Sequence, residues 1–125
     1  MQIPLARMDE VSLAASGREA VELLRSGNIA ALADRFGYAL AFDRDAATAI
    51  RDDLATCSLD AANFGIPDSD ADVTVKYFEP NATGILALIE CRFRTHRGTQ
   101  ALLELVVSGQ GDERHVTLEQ IGIAT

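Results

Sequence analysis

Apolar positions along this chain follow two different periods. Up to about residue 57 they recur at helical spacing. From residue 72 to residue 123 they fall in strand-like runs separated by turn residues. That order, helices first and strands afterwards, predicts an α+β fold: N-terminal helices packed on a curved antiparallel four- to five-stranded sheet.

In the helical half, Ser16-Gly17-Arg18-Glu19 fits a capping box. Ala20, Val21, Leu23 and Leu24 follow as an apolar side, and Gly27 supplies a stop. An earlier start near Asp9 is the alternative. It brings in Val11, Ala14 and Ala15 but places Gly17 inside the helix, at about 1 kcal/mol against alanine. Asn28 is expected to cap a second helix with Ile29, Leu32, Ala33 and Phe36 on its buried stripe, ending at Gly37. Residues 38–42 are ambiguous. They read as a short strand, with a continued helix as the alternative. Asp43 or Asp45 then caps a third helix through Cys57, with Ala46, Ala47, Ile50 and Leu54 on one side. Residues 58–71 form a long connection broken by Gly65 and Pro67, in which Phe64 and Ile66 are candidate lid residues.

The strand half reads as a meander: residues 72–79, 85–96, 100–108 and 113–123, joined by short turns. A loop of residues 97–99 places Cys91 opposite Leu105, Phe93 opposite Leu103, Thr95 opposite Ala101, and Arg92 opposite Glu104. A shorter loop reverses the faces and puts Glu104 beneath the helices, where an unpaired carboxylate is costly. The first register is therefore preferred. A last turn over residues 109–112 turns Val116, Leu118 and Gln120 toward the helices. His115, Thr117, Glu119 and Ile121 then fall on the outer face. That outer face mixes Leu86, Leu88, Leu102, Val106 and Ile121 with Arg92 and Glu104, which predicts a contact surface and a homodimer packed sheet to sheet.

Composition narrows the picture. A chain of 125 residues fits one domain, with residues 1–10 expected as a loose N-terminal arm. The hydrophobic fraction of 48% excludes a disordered chain. No apolar stretch reaches the length of a membrane span, and the N-terminus lacks the pattern of a signal peptide. The formal charge of −8 argues against nucleic acid as a partner. Arg92, Arg94, His96 and Arg97 form a local basic cluster, read as a solvated strand face or, less favoured, an anion site. Cys57 and Cys91 have no metal-like spacing and suit a reduced, cytoplasmic setting. No metal site or phosphate-cradling glycine loop is legible, and no cofactor is expected.

The segment from Gly27 to Phe36 and that from Asp45 to Leu54 resemble helices of the nuclear transport factor 2-like (cystatin-like α+β roll) superfamily. The resemblance is one of pattern, from about Ser16 to Ile123. It implies a cone-shaped roll with a pocket in the cone mouth and frequent dimers through the sheet's outer face. Its members include isomerases, dehydratases and cyclases, as well as proteins of no known activity, so fold alone does not fix function.

Three functions are carried forward. The preferred one is small-molecule binding in an apolar cone pocket, with Tyr38, Tyr77, Cys91 and Gln120 as mildly polar members of helix-facing positions. An isomerase- or dehydratase-type enzyme would use His115 and Glu119, with Glu104 near them, as a general acid/base set. A pairing scaffold would use Leu88, Arg92, Leu102, Glu104, Val106 and Ile121 as its dimer face.

Overall fold

The structure is a computed structural model and describes residues 1–56, 71–94, 100–109 and 111–123. The readings made above for Cys57, Phe64, Ile66, Thr95, His96 and Arg97 lie outside the described residues.

Helix α1 spans Glu10–Arg25. The earlier start is the one observed: the Asp9 carboxylate caps the helix, accepting from Ser12 N at 3.1 Å and Ser12 Oγ at 2.7 Å. The Ser16–Glu19 capping box does not form, because both residues lie inside the helix. The buried face is Leu13, Gly17, Ala20, Val21 and Leu24. Gly27, with φ of +74°, closes a Schellman motif: its amide donates to Leu24 O at 3.1 Å and the Asn28 amide donates to Leu23 O at 2.9 Å.

Asn28 then caps α2, Ile29–Phe36, accepting from Ala31 N, and Ile29, Leu32 and Phe36 are buried as the spacing predicts. Residues 38–42 are not a strand. Ala39–Ala41 form a 3-10 turn, because the Arg44 guanidinium takes the Leu40 and Ala41 carbonyls at 2.7 and 3.1 Å that a strand would give to a neighbour. Helix α3 spans Ala46–Thr56. Asp45 accepts from Thr48 N at its start, and Ala49, Ile50 and Leu54 enter the core.

The five strands are β1 (Gln2–Ile3), β2 (Asp72–Tyr77), β3 (Ile85–Arg94), β4 (Gln100–Ser108) and β5 (Arg114–Ile123). They form one antiparallel sheet in the order β1-β5-β4-β3-β2. The sheet is curved and open, and the three helices pack against it. The N-terminal residues are tied down rather than loose. Ile3 pairs with Arg114, and the Val116 amide donates to Met1 O at 2.7 Å. No described helix is long and apolar enough to cross a membrane.

The register departs from expectation twice. Between β3 and β4, Cys91 lies opposite Leu103, Phe93 opposite Ala101 and Arg92 opposite Leu102, so pairing is shifted by two residues. A two-residue shift preserves the faces, and the same side chains are buried in either register. Between β4 and β5 a bulge falls at Glu119: Leu105 faces Leu118, but Glu104 faces Gln120 and Leu103 faces Ile121. The extra residue reverses the parity beyond it. Ile121 is therefore core rather than outer face, and Gln120 is exposed rather than turned to the helices.

Helix α1 lies over β2, β3 and β4, while α2 and α3 lie over β5. Ala87, Ile89, Cys91 and Phe93 from β3, with Leu103, Leu105, Val107, Val116 and Leu118, meet those helices as a continuous core.

Candidate functional site

The other face of the sheet carries the side chains that alternate with this core. Leu86, Leu88, Leu102 and Val106 are half-buried there, and Leu88 and Val106 lie directly opposite each other. Lys76 flanks Leu88 from β2 and Thr117 flanks Val106 from β5. Glu90 is opposite Glu104, a like-charge pair that is unfavourable on its own. It is relieved from both sides. Lys76 Nζ donates to Glu90 Oε1 at 2.9 Å, Arg92 donates to Glu90 Oε2 at 3.1 Å, and Gln120 Nε2 donates to Glu104 Oε1 at 2.6 Å. Only 8% of Glu90 is exposed. The Lys76 hydrogen bond, reinforced by the charges of Lys76 and Arg92, holds its carboxyl below the ordinary glutamate range against the opposing effect of burial.

The charges on this face are unevenly divided. Lys76, Arg92 and Arg94 stand on the β2–β3 half with Asp72 and Glu90, and Glu104 and Glu119 belong to the β4–β5 half. Of the expected dimer-face residues, Leu88, Arg92, Leu102, Glu104 and Val106 share this surface, and Ile121 does not.

The acid/base candidates are not brought into one constellation. His115 is half-buried opposite Ser108, with Nε2 3.8 Å from Glu113 Oε2. Glu104 is engaged by Gln120 and sits four residues along β4 from Ser108, roughly 13 Å away. Glu119 occupies the bulge.

The four ligand candidates also separate. Tyr38 is buried, and its hydroxyl donates to Asp53 Oδ2 at 2.5 Å; Arg44 approaches the other Asp53 oxygen at 3.3 Å. This bracket ties the turn after α2 to α3. Tyr77 is 51% exposed, and its hydroxyl donates to Met8 O at 2.6 Å, pinning the chain entering α1. Cys91 is fully buried against Gly17, and burial pushes its thiol up to about 12. Gln120 belongs to the outer face. Among the described residues, no group of three or more His, Cys, Asp or Glu is placed to hold a metal ion.

A concavity that sequence reasoning missed lies between the N-terminal arm and α1. It has a volume of about 630 Å³; Met1, Gln2, Ile3 and Pro4 line it on one side, and Val11, Ser12, Ala15, Ser16 and Glu19 on the other. Arg7 and Arg35 complete it. The helix wall recurs at i, i+4 and i+8, a spacing visible in the sequence. What was not visible is that β1 pairs with β5 and holds the arm across from it.

Fold and surfaces together define a small α+β domain with N-terminal helices on an open antiparallel sheet. No protein-family model, no curated protein and no solved structure matches the chain.

Proposed function

We propose that this domain pairs with a second copy of itself through the outer face of its sheet. The reading rests on one observation: Leu86, Leu88, Leu102 and Val106 lie on a face over which no described element packs. The charges add a self-complementary pattern. A twofold axis lying between the two sheets, parallel to the strands at the β3–β4 boundary, would set the more basic half of one copy over the acidic half of the other. Membership of the nuclear transport factor 2-like superfamily is part of the same proposal, since helices followed by a meander suit it and sheet-to-sheet dimers are frequent there. Equilibrium sedimentation tests the pairing. The wild-type chain is expected to dimerise, and Leu88→Glu with Val106→Glu to remain monomeric while keeping its far-ultraviolet dichroism. A wild-type chain that stays monomeric at high micromolar concentration overturns it.

The second reading is small-ligand binding, and the groove beneath the N-terminal arm favours it. Its volume of about 630 Å³ falls in the range of small-molecule sites. Saturable, localised changes in amide resonances on ligand addition test this reading.

A further inference from the structure

We propose that the groove between the N-terminal arm and α1 binds a small monocarboxylate with a short aliphatic tail, Arg7 holding the carboxylate and the tail covering Val11. This rests on the ligand-binding reading and names its site and its chemistry. It shares no residue with the sheet face proposed for pairing.

The groove is built from fixed walls. One wall is the arm, hydrogen-bonded to β5 through the Met1 carbonyl and turned by Arg7 N donating to Pro4 O at 3.0 Å. The other is α1, held at its start by the Tyr77 hydroxyl on Met8 O and in its middle by the close seat of Gly17 on β3. A site whose walls are already held loses little entropy on binding.

Its charges are of two kinds. Glu19 and Arg35 form an ion pair with each other across the groove, so each neutralises the other. Arg7 forms no ion pair and donates no side-chain hydrogen bond among the described residues; Asp9 feels it only through its field. The oxygens of Asp9 are already taken by Ser12. The Met1 α-ammonium, also in the lining, is engaged on Val116 O at 2.8 Å, so the uncompensated side-chain charge of the groove is one guanidinium, on a chain whose net charge is −8. A planar guanidinium fork matches a carboxylate with two parallel hydrogen bonds. A single fork suits a single charge.

The apolar component is independent of the charge. Val11 is 80% exposed in the first turns of α1, where a β-branched residue has no helical advantage. Ala15 lies one turn further along the same wall, and Ile3 and Pro4 face the groove from the arm. An aliphatic tail of a few carbons would cover Val11 and take apolar surface of both out of water.

The experiment uses the full chain with three probes: sodium hexanoate, neutral hexanamide and inorganic phosphate. Hexanoate is expected to raise the melting temperature and to shift the amide resonances of Arg7, Val11 and Ala15 saturably. Arg7→Gln should weaken that binding about tenfold or more, the equivalent of one charge-assisted hydrogen bond, with the unfolding midpoint of the free protein unchanged. Hexanamide should bind weakly, and phosphate no better. If hexanamide or phosphate occupies the groove as well as hexanoate does, the assigned chemistry falls and the ligand-binding reading stands. If none of the probes perturbs the groove at millimolar concentration, both fall. Hexanoate binding that is indifferent to Arg7→Gln overturns the proposal outright.

Discussion

Gly17 on α1 and Cys91 on β3 touch so closely that a Cβ on Gly17 would stand 2.8 Å from Cys91 Sγ. The same methyl would stand 2.9 Å from Ile89 Cγ2 and 3.2 Å from Val73 Cγ1. Glycine in mid-helix is what lets α1 rest directly on the sheet.

Gly17→Ala sets two effects against each other. Helix propensity favours alanine by about 1 kcal/mol. Overpacking a filled core costs about 1–3 kcal/mol, and both Cys91 and Ile89 are fully buried with nowhere to move. The second effect wins, so urea unfolding should show net destabilisation of up to about 2 kcal/mol. Adding Cys91→Ala should recover part of that loss, giving a favourable coupling in a double-mutant cycle. Greater stability in Gly17→Ala would show that the helix can lift without cost.

The Cys91 thiol is expected to be inert in the native protein. Burial raises its pKa to about 12, more than the nearby Arg18 charge lowers it. The thiolate is therefore negligible at pH 8, and reagent access is closed as well. In a Cys57→Ser chain, labelling by a disulfide reagent should proceed only at the rate of opening of the core. It should reach completion in denaturant. Rapid stoichiometric labelling of the folded chain would contradict the packing at Gly17.

The sequence disclosed whichever features depend on local spacing. Asn28 reads as a cap because its neighbours Ile29, Leu32 and Phe36 share a stripe, and that helix is found where expected. The helix-facing set of β3 was equally legible, since Ala87, Ile89, Cys91 and Phe93 alternate with Leu88, Glu90, Arg92 and Arg94, three of them charged. Gly17 misled because local propensity argues against a helix passing through it, while the reason for its presence lies across the core in Cys91. The two-residue shift between β3 and β4 was invisible for a different reason. Both registers bury the same residues and keep Glu104 off the helix face, so the cost of burying it cannot separate them, and Lys76, on a separate strand, supplies the partner that makes Glu90 opposite Glu104 tolerable. The bulge at Glu119 leaves no local signal, so strict alternation puts Gln120 and Ile121 on each other's face. Arg44 likewise determined the turn at residues 39–41 through hydrogen bonds that spacing cannot reveal.

Glu90 should make the fold acid-sensitive. Its hydrogen bond from Lys76, with the Lys76 and Arg92 charges, depresses its folded pKa below the unfolded value. A depressed carboxyl contributes stability that is fully present above the unfolded pKa, about 4.3, and is lost as pH falls through the folded pKa. Unfolding midpoints of the wild type should therefore fall below about pH 5 more steeply than those of Glu90→Gln, which has no charge to lose. Above that pH the wild type should be the more stable of the two, because glutamine cannot replace two charge-assisted bonds. Parallel pH profiles for the two chains would remove Glu90 from the account of this face.

Phe42 supplies the last expectation. It is 82% exposed and adopts φ of +54° with ψ of −119°, a conformation that suits glycine and strains a side chain with a Cβ. The turn is over-determined around it: Arg44 fixes the Leu40 and Ala41 carbonyls, and Asp53 joins Arg44 to the Tyr38 hydroxyl. Strain of this kind costs about 1–3 kcal/mol. Replacement by glycine recovers it but adds about 1 kcal/mol of unfolded-state entropy. Phe42→Gly should thus raise the stability measured by urea unfolding by up to about 2 kcal/mol. Phe42→Ala keeps the strained Cβ and should change it little. Tyr38→Phe, which frees one side of Asp53, should loosen the bracket and lower stability by about 1 kcal/mol. If Phe42→Gly instead destabilises while Phe42→Ala does not, the left-handed geometry at this turn is absent from the protein in solution.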